Sequence, residues 1–221
     1  MKRVLVLRPE PGASATVKRA RERGLDAVAF PLFALEPVAW EAPEPSHFDG
    51  LLLTSANAVR CGGDQLRTLR GLKTYAVGEA TAEAAREAGF DIAASGNSGV
   101  DRLLGAIEPN LRLLHPCGEH RQSSANVQQD IKSVVVYRST AVDAPDLSCA
   151  SGGFALIHSP RAGRRFADLV NERGSVSIVA ISPAAAEAVG EGWRKVESAE
   201  RPSDEALLAL AARLCNNPQP K

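Results

Sequence analysis

Apolar runs in this chain repeatedly stop at a small, hydroxylated or basic residue just before a helix-forming stretch. The stops are Arg8, Thr54–Ser55, Gly78, Ser95–Gly96, His115, Ser159 and Ser182. A helix N-terminus presents unpaired N–H groups and about half a positive charge. Glycine or serine leaves that end open and a hydroxyl adds a donor, so such ends suit carboxylate or phosphate oxygens. Any one of these serines or threonines is equally an N-cap that merely starts its helix. Repetition along the chain is what points to one ligand carrying many anionic groups.

Other chemistry is sparse. No GxGxxG follows the first apolar run, and neither GxxxxGK[ST] nor GxSxG occurs, which disfavours dinucleotides, nucleoside triphosphates and a nucleophile elbow. The stretch "HPCGEH" offers His115, Cys117 and His120 but no second ligand pair, so it reads as a polar loop and no metal is expected. No pair of carboxylates stands out for acid–base work. Tyr137, in "VVVYRS", is one of 2 tyrosines. It either packs on a neighbouring strand or points toward a ligand.

The elements that must position these residues alternate. Strands are read at "RVLVLRP", "DGLLLTS", "KTYAVG", "DIAAS", "LRLLHP", "KSVVVYRSTAV", "FALIHSP", "VSIVAIS" and "KVESA". Between them lie Ala/Glu/Arg-rich helices, one running from about Asn57 to Leu69 and the last at "EALLALAARLC". Such alternation implies parallel sheets covered by helices.

The chain also repeats itself. At one constant shift Ser55 falls on Ser159, Arg60 on Arg164, Asp64 on Asp168, Ala76 on Ala180, Glu83 on Glu187 and Leu103–Leu104 on Leu207–Leu208. "VLVLRP" obeys a slightly different shift and falls on "LRLLHP", so that Pro9 meets Pro116. The copy of the first strand thus comes last in the central unit. The fold expected is α/β, with two similar parallel-sheet domains of flavodoxin or Rossmann type joined by a two-stranded β ladder. The N-terminal domain is discontinuous, 1–30 plus 146–221, and the inserted one spans 43–132, with 31–42 and 133–145 as crossing strands. Pro31, Pro37, Pro43 and Pro45 keep the first crossing non-helical. The two sets of strand ends would then face each other across a hinged cleft.

Composition narrows the class. With 26 basic and 26 acidic residues the chain carries no net charge, which argues against nucleic acid held on a basic surface. No apolar run is long enough to span a bilayer, and the apolar part of "MKRVLVLRPEPGA" is too short for a signal peptide. Cys61, Cys117, Cys149 and Cys215 form no CxxC and read as reduced thiols of a cytoplasmic protein. The small size and lack of an exposed heptad seam suggest a monomer, and the tail "NNPQPK" reads as a disordered end.

Taken in order, "RVLVLRPEPGA", "AFPLF", "DGLLLTSANAVR", "YAVGEATAEAAREAGF", "VVVYRS", "ALIHSPRAG" and "VAISPAAAEA" resemble uroporphyrinogen-III synthase. The resemblance runs over nearly the whole chain. It implies a cofactor-free lyase of tetrapyrrole synthesis. Its substrate, hydroxymethylbilane, bears an acetate and a propionate on every ring. Water leaves the ring-A hydroxymethyl group, ring D inverts through a spiro intermediate, and the macrocycle closes. The pyrrole nitrogen itself expels the hydroxyl, so positioning is the main task. By the same resemblance Tyr137 assists departure of the hydroxyl. Arg8, Thr54, Ser55, Gly78, Thr81, Ser159 and Ser182 bind carboxylates, and a transient contact with the preceding pathway enzyme is implied.

Two departures stand out. "SPAAA" has Ala184 and Ala185 where the family often has threonines, and "QSSANVQQD" is short and lacks the usual leucines. They leave room for a non-catalytic protein that binds tetrapyrroles or small anions. A transferase with two nucleotide-type domains is a third reading, but no nucleotide motif supports it.

Overall fold

The computed structural model describes residues 2–96, 99–120, 128–143 and 146–216. In chain order the elements begin with β1 (Arg3–Val6), α1 (Gly12–Glu22), β2 (Asp26–Ala29) and β3 (Phe33–Pro37). Then come β4 (Gly50–Leu53), α2 (Ala56–Cys61), α3 (Gly63–Arg67), β5 (Lys73–Val77), α4 (Glu79–Glu87) and β6 (Ile92–Gly96). After α5 (Val100–Gly105) the chain forms β7 (Arg112–Gly118) and β8 (Asp130–Ala141). The last part holds β9 (Phe154–Ile157), α6 (Pro160–Leu169), β10 (Ser177–Ala180), α7 (Pro183–Glu187), β11 (Lys195–Ser198) and α8 (Asp204–Asn216). The chain divides into two compact units, Met1–Ala34 with Ala141–Lys221, and Leu35–Thr140.

The first unit holds a parallel sheet in the order β11-β10-β9-β1-β2. Its central strands "RVLV", "FALI" and "SIVA" are almost wholly buried, as expected where helices cover both faces. Side chains alternate across a strand. Val4 and Val6 therefore pack with α1 and α8, through Val17, Leu207 and Leu208, while Leu5 and Leu7 pack on the other face with Phe166 and Ile178. Phe166 stacks on Trp193 with ring centroids 5.3 Å apart. α6 and α7 both start with a serine cap followed by proline, which pre-sets the first turn.

The second unit carries the sheet β3-β8-β7-β4-β5-β6. Leu51 and Leu53 face one core with Leu66, Leu69 and Phe90, and Leu52 faces the other with Tyr75, Leu103 and Leu113. β3 and β8 lie side by side. The Val38 N–H donates to the Val136 carbonyl and the Val142 N–H to the Leu32 carbonyl, so the two strands run in opposite senses. Glu36 accepts from Arg138 and Thr140, both at 2.9 Å.

Several local expectations change. β8 is not only a crossing strand, because its first part pairs with β7 from Arg112–Asp130 to Gly118–Tyr137. "HPCG" is not a loop: it is the buried end of β7. The helix expected from Asn57 to Leu69 is two short ones, broken where Gly63 adopts φ +61. Asp26–Ala29, within the segment 1–30, pairs beside β1 as a strand not among those expected. "QSSANVQQD" as far as Val127, and the tail after Asn216, lie outside the described residues. The four cysteines form no disulfide. No helix among the described residues is long and apolar enough to cross a membrane.

Candidate functional site

An open parallel sheet has a switch point where successive connections depart in opposite directions, and ligands bind there beyond the carboxyl ends of the strands. In the second unit the chain leaves β4 toward β5 and β6 and returns on the other side at β7, so the switch lies between β4 and β7. Thr54 and Ser55 follow β4 directly, and His115 stands midway along β7. Thr54 Oγ1 and His115 Nε2 stand 2.9 Å apart across this point, and Ser133 Oγ lies 3.3 Å from His115 Nδ1. Ser55 caps α2, its Oγ accepting from the Asn57 N–H at 3.1 Å. The Tyr137 hydroxyl donates to the same oxygen at 3.5 Å. Gly78 precedes α4 with φ +85, a conformation that side chains resist, and Thr81 is buried in the first turn of that helix. Thr54 is therefore joined to His115 of β7, and Ser55 to Tyr137 of β8 beyond it, with Gly78 and Thr81 following β5 on the other side.

The first unit has its switch between β1 and β9, where Arg8 and His158–Ser159 emerge. Ser159 caps α6 by accepting from the Ala162 N–H at 3.2 Å, and Ser182 caps α7 by accepting from the Ala185 N–H at 3.3 Å. Both oxygens act as N-caps, and each hydroxyl still has its own proton to donate. Arg8 lies flat over the start of α1: a Cβ on Gly12 would fall 2.6 Å from the Arg8 Nε.

Beside Arg8 is a polar cluster absent from the sequence reading. Asp204 Oδ1 accepts from Thr16 at 3.0 Å and from His158 Nε2 at 2.9 Å. Its Oδ2 accepts from Arg19 Nε at 3.0 Å and Nη2 at 2.7 Å. Arg8 Nη1 stands off at 3.7 Å. Burial holds the His158 pKa below its ordinary value; the bond to Asp204 pulls it up and the Arg8 charge adds to the lowering. Burial pushes the Asp204 carboxyl up, but the bonds from His158 and Arg19 outweigh it and hold it well below the usual carboxylate range. Arg8 and Arg19 both turn a guanidinium toward Asp204 at this switch point.

"HSP" places His158 beside the candidate Ser159, the one local hint to this cluster. Asp204 carries no such hint, because as the first residue of α8 it looks like any acid suited to a helix start.

Fold and strand ends together define a two-unit α/β protein of open parallel sheets, with polar and basic side chains at each switch point. Family comparison agrees: residues 14–209 match the model described as uroporphyrinogen-III synthase HemD. This chain belongs to the uroporphyrinogen-III synthase family, a family of lyases in tetrapyrrole synthesis. A uroporphyrinogen-III synthase of Chlorobaculum parvum is 34% identical over 101 residues, which is 42% of this chain and 41% of that protein. The matched stretch thus spans less than half of that relative. The structure of the Helicobacter pylori uroporphyrinogen-III synthetase superposes with a TM-score of 0.67 at 19% identity, over 97% of this chain and 100% of the other. A mutant uroporphyrinogen III synthase of Thermus thermophilus gives a TM-score of 0.53 at 17% identity, over 98% of this chain and 100% of the other. These two structures support the fold.

Proposed function

We propose that this chain dehydrates hydroxymethylbilane, inverts its ring D and closes it to uroporphyrinogen III. The family match across residues 14–209 carries this reading. Tyr137 donates its phenolic proton, or a hydrogen bond, to the departing ring-A hydroxyl while the pyrrole nitrogen supplies the electrons. A general acid contributes on the order of 10²–10⁴ in rate, and positioning of the ring-D carbon supplies the selectivity. Carboxylates of the substrate are taken by strand ends of both units: Thr54, Ser55, Gly78 and Thr81 in one, Arg8, Ser159 and Ser182 in the other. The Arg8 and Arg19 guanidiniums at the first unit's switch point support that assignment. The chain passes between its two units at Ala34–Leu35 and at Thr140–Ala141, within β3 and at the end of β8. The protein works in the cytoplasm as a monomer and meets the preceding enzyme transiently, without nucleic acid or membrane.

Hydroxymethylbilane closes spontaneously to isomer I, so product identity is the decisive measurement. Purified protein with enzymically generated hydroxymethylbilane is expected to yield uroporphyrinogen III faster than background. Isomer I at the background rate overturns the reading and leaves a tetrapyrrole-binding protein.

A further inference from the structure

We propose that Gly118 is a positioning residue for this reaction: its missing side chain, with one extra residue in β8, seats the Tyr137 phenol beside Ser55. The inference rests on the lyase reading above and names a residue that reading does not use.

Three observations carry it. β7 and β8 pair in even register as far as Cys117–Val135, and then Gly118 pairs with Tyr137. β8 therefore holds one residue, Val136, that has no opposite number. Such bulges re-aim the side chain that follows. Without the bulge Tyr137 would stand opposite Glu119, turned away from the face of Gly118, since side chains alternate along a strand. The bulge is fixed from both sides. Val136 is fully buried, its carbonyl accepts from the Val38 N–H at 3.0 Å, and the Tyr137 carbonyl accepts from the Glu119 N–H at 3.0 Å.

The third observation is the space over Gly118. A Cβ there would lie 2.7 Å from Tyr137 Cζ, 2.9 Å from Cε2 and 2.9 Å from the hydroxyl oxygen. The crowded atoms are the far end of the tyrosine ring, not backbone. Gly118 is also absent from the left-handed conformations found elsewhere in the chain, so alanine strains no dihedral. What must yield is the phenol tip, the group that meets the leaving hydroxyl.

The experiment is a double-mutant cycle on the full chain. The wild type is first required to make uroporphyrinogen III; if it makes only isomer I, the lyase reading fails, whatever Gly118 does. In an active enzyme, Gly118→Ala is expected to lower kcat by about 100-fold while KM moves less than about threefold, because displacement of a reacting group by ~1 Å costs that much. Tyr137→Phe lowers kcat as well, and the double variant is no slower than Tyr137→Phe alone. A double variant slowed by the product of the two effects, or wild-type kcat in Gly118→Ala, overturns the proposal. Urea unfolding of Gly118→Ala in a Tyr137→Ala background separates contact from general damage. Expected is a midpoint equal to that of Tyr137→Ala, even if Gly118→Ala alone folds poorly. Equal loss of stability in both backgrounds overturns it.

Discussion

Arg8 and His115 occupy equivalent places in the two halves of the duplicated sequence, as do His158 and Thr54, yet each pair keeps different company. Thr54 and His115 satisfy each other directly at 2.9 Å. Arg8 and His158 instead both approach Asp204 Oδ1, at 3.7 Å and 2.9 Å. A carboxylate, Asp204, stands between them and takes the His158 proton donor and the Arg19 fork. The position equivalent to Asp204 in the other half is Val100, where no carboxylate is required. As a cation just past the end of β1, Arg8 is the group expected to feel a substrate carboxylate. Arg8→Gln should raise KM about tenfold or more, as loss of a charged hydrogen bond does, with a smaller change in kcat. Steady-state kinetics on hydroxymethylbilane reads both numbers.

Elements carry the next level of this design. α8 packs Leu207, Leu208 and Ala211 against the sheet and brings Asp204, its first residue, to the end of β9. Asp204→Ala would leave Arg19 and the buried His158 without their partner. Breaking a buried charged network costs on the order of 3 kcal/mol. Trp193 reports on this unit and Trp40 on the other, so Trp193 fluorescence in a Trp40→Phe background is the measurement. The expected result is a lower urea midpoint for the first unit. Some elements were legible beforehand: "RVLV", "LLL" and "FALI" read as buried strands because both faces of a parallel sheet are covered. Others were not. The break after Cys61 hinged on the conformation of Gly63, and the end of β7 looked like a polar loop because His115 and Gly118 are unusual strand residues. Pairing with β4 and β8 outweighs that local preference.

At the scale of the whole molecule, acid is the clearest lever. An unfolded imidazole titrates near pH 6.5, whereas burial keeps that of His158 lower in the folded chain. Between those two values the unfolded state binds more protons, so stability is complete above about pH 6.5 and falls as pH drops below it. The lowered Asp204 carboxyl has the same sign but acts only in stronger acid, below its ordinary value of 3.8. Urea midpoints of the first unit are expected to decline from pH 7.5 to pH 5, and His158→Gln should flatten that slope. An unchanged slope in the variant would assign the acid sensitivity to other groups.

The amino-acid sequence by itself determined the two mainly parallel sheets, their interrupted order and the polar strand ends. Apolar runs, helix starts and an internal repeat are all written along one dimension. Only the tertiary structure decided which side chains meet: Asp204 with His158, Thr54 with His115, and Tyr137 laid across Gly118 by a skipped Val136. Those meetings depend on chain closure over long separations and on strand register, where a slip of one residue turns a side chain to the opposite face. No local pattern of residues records that choice.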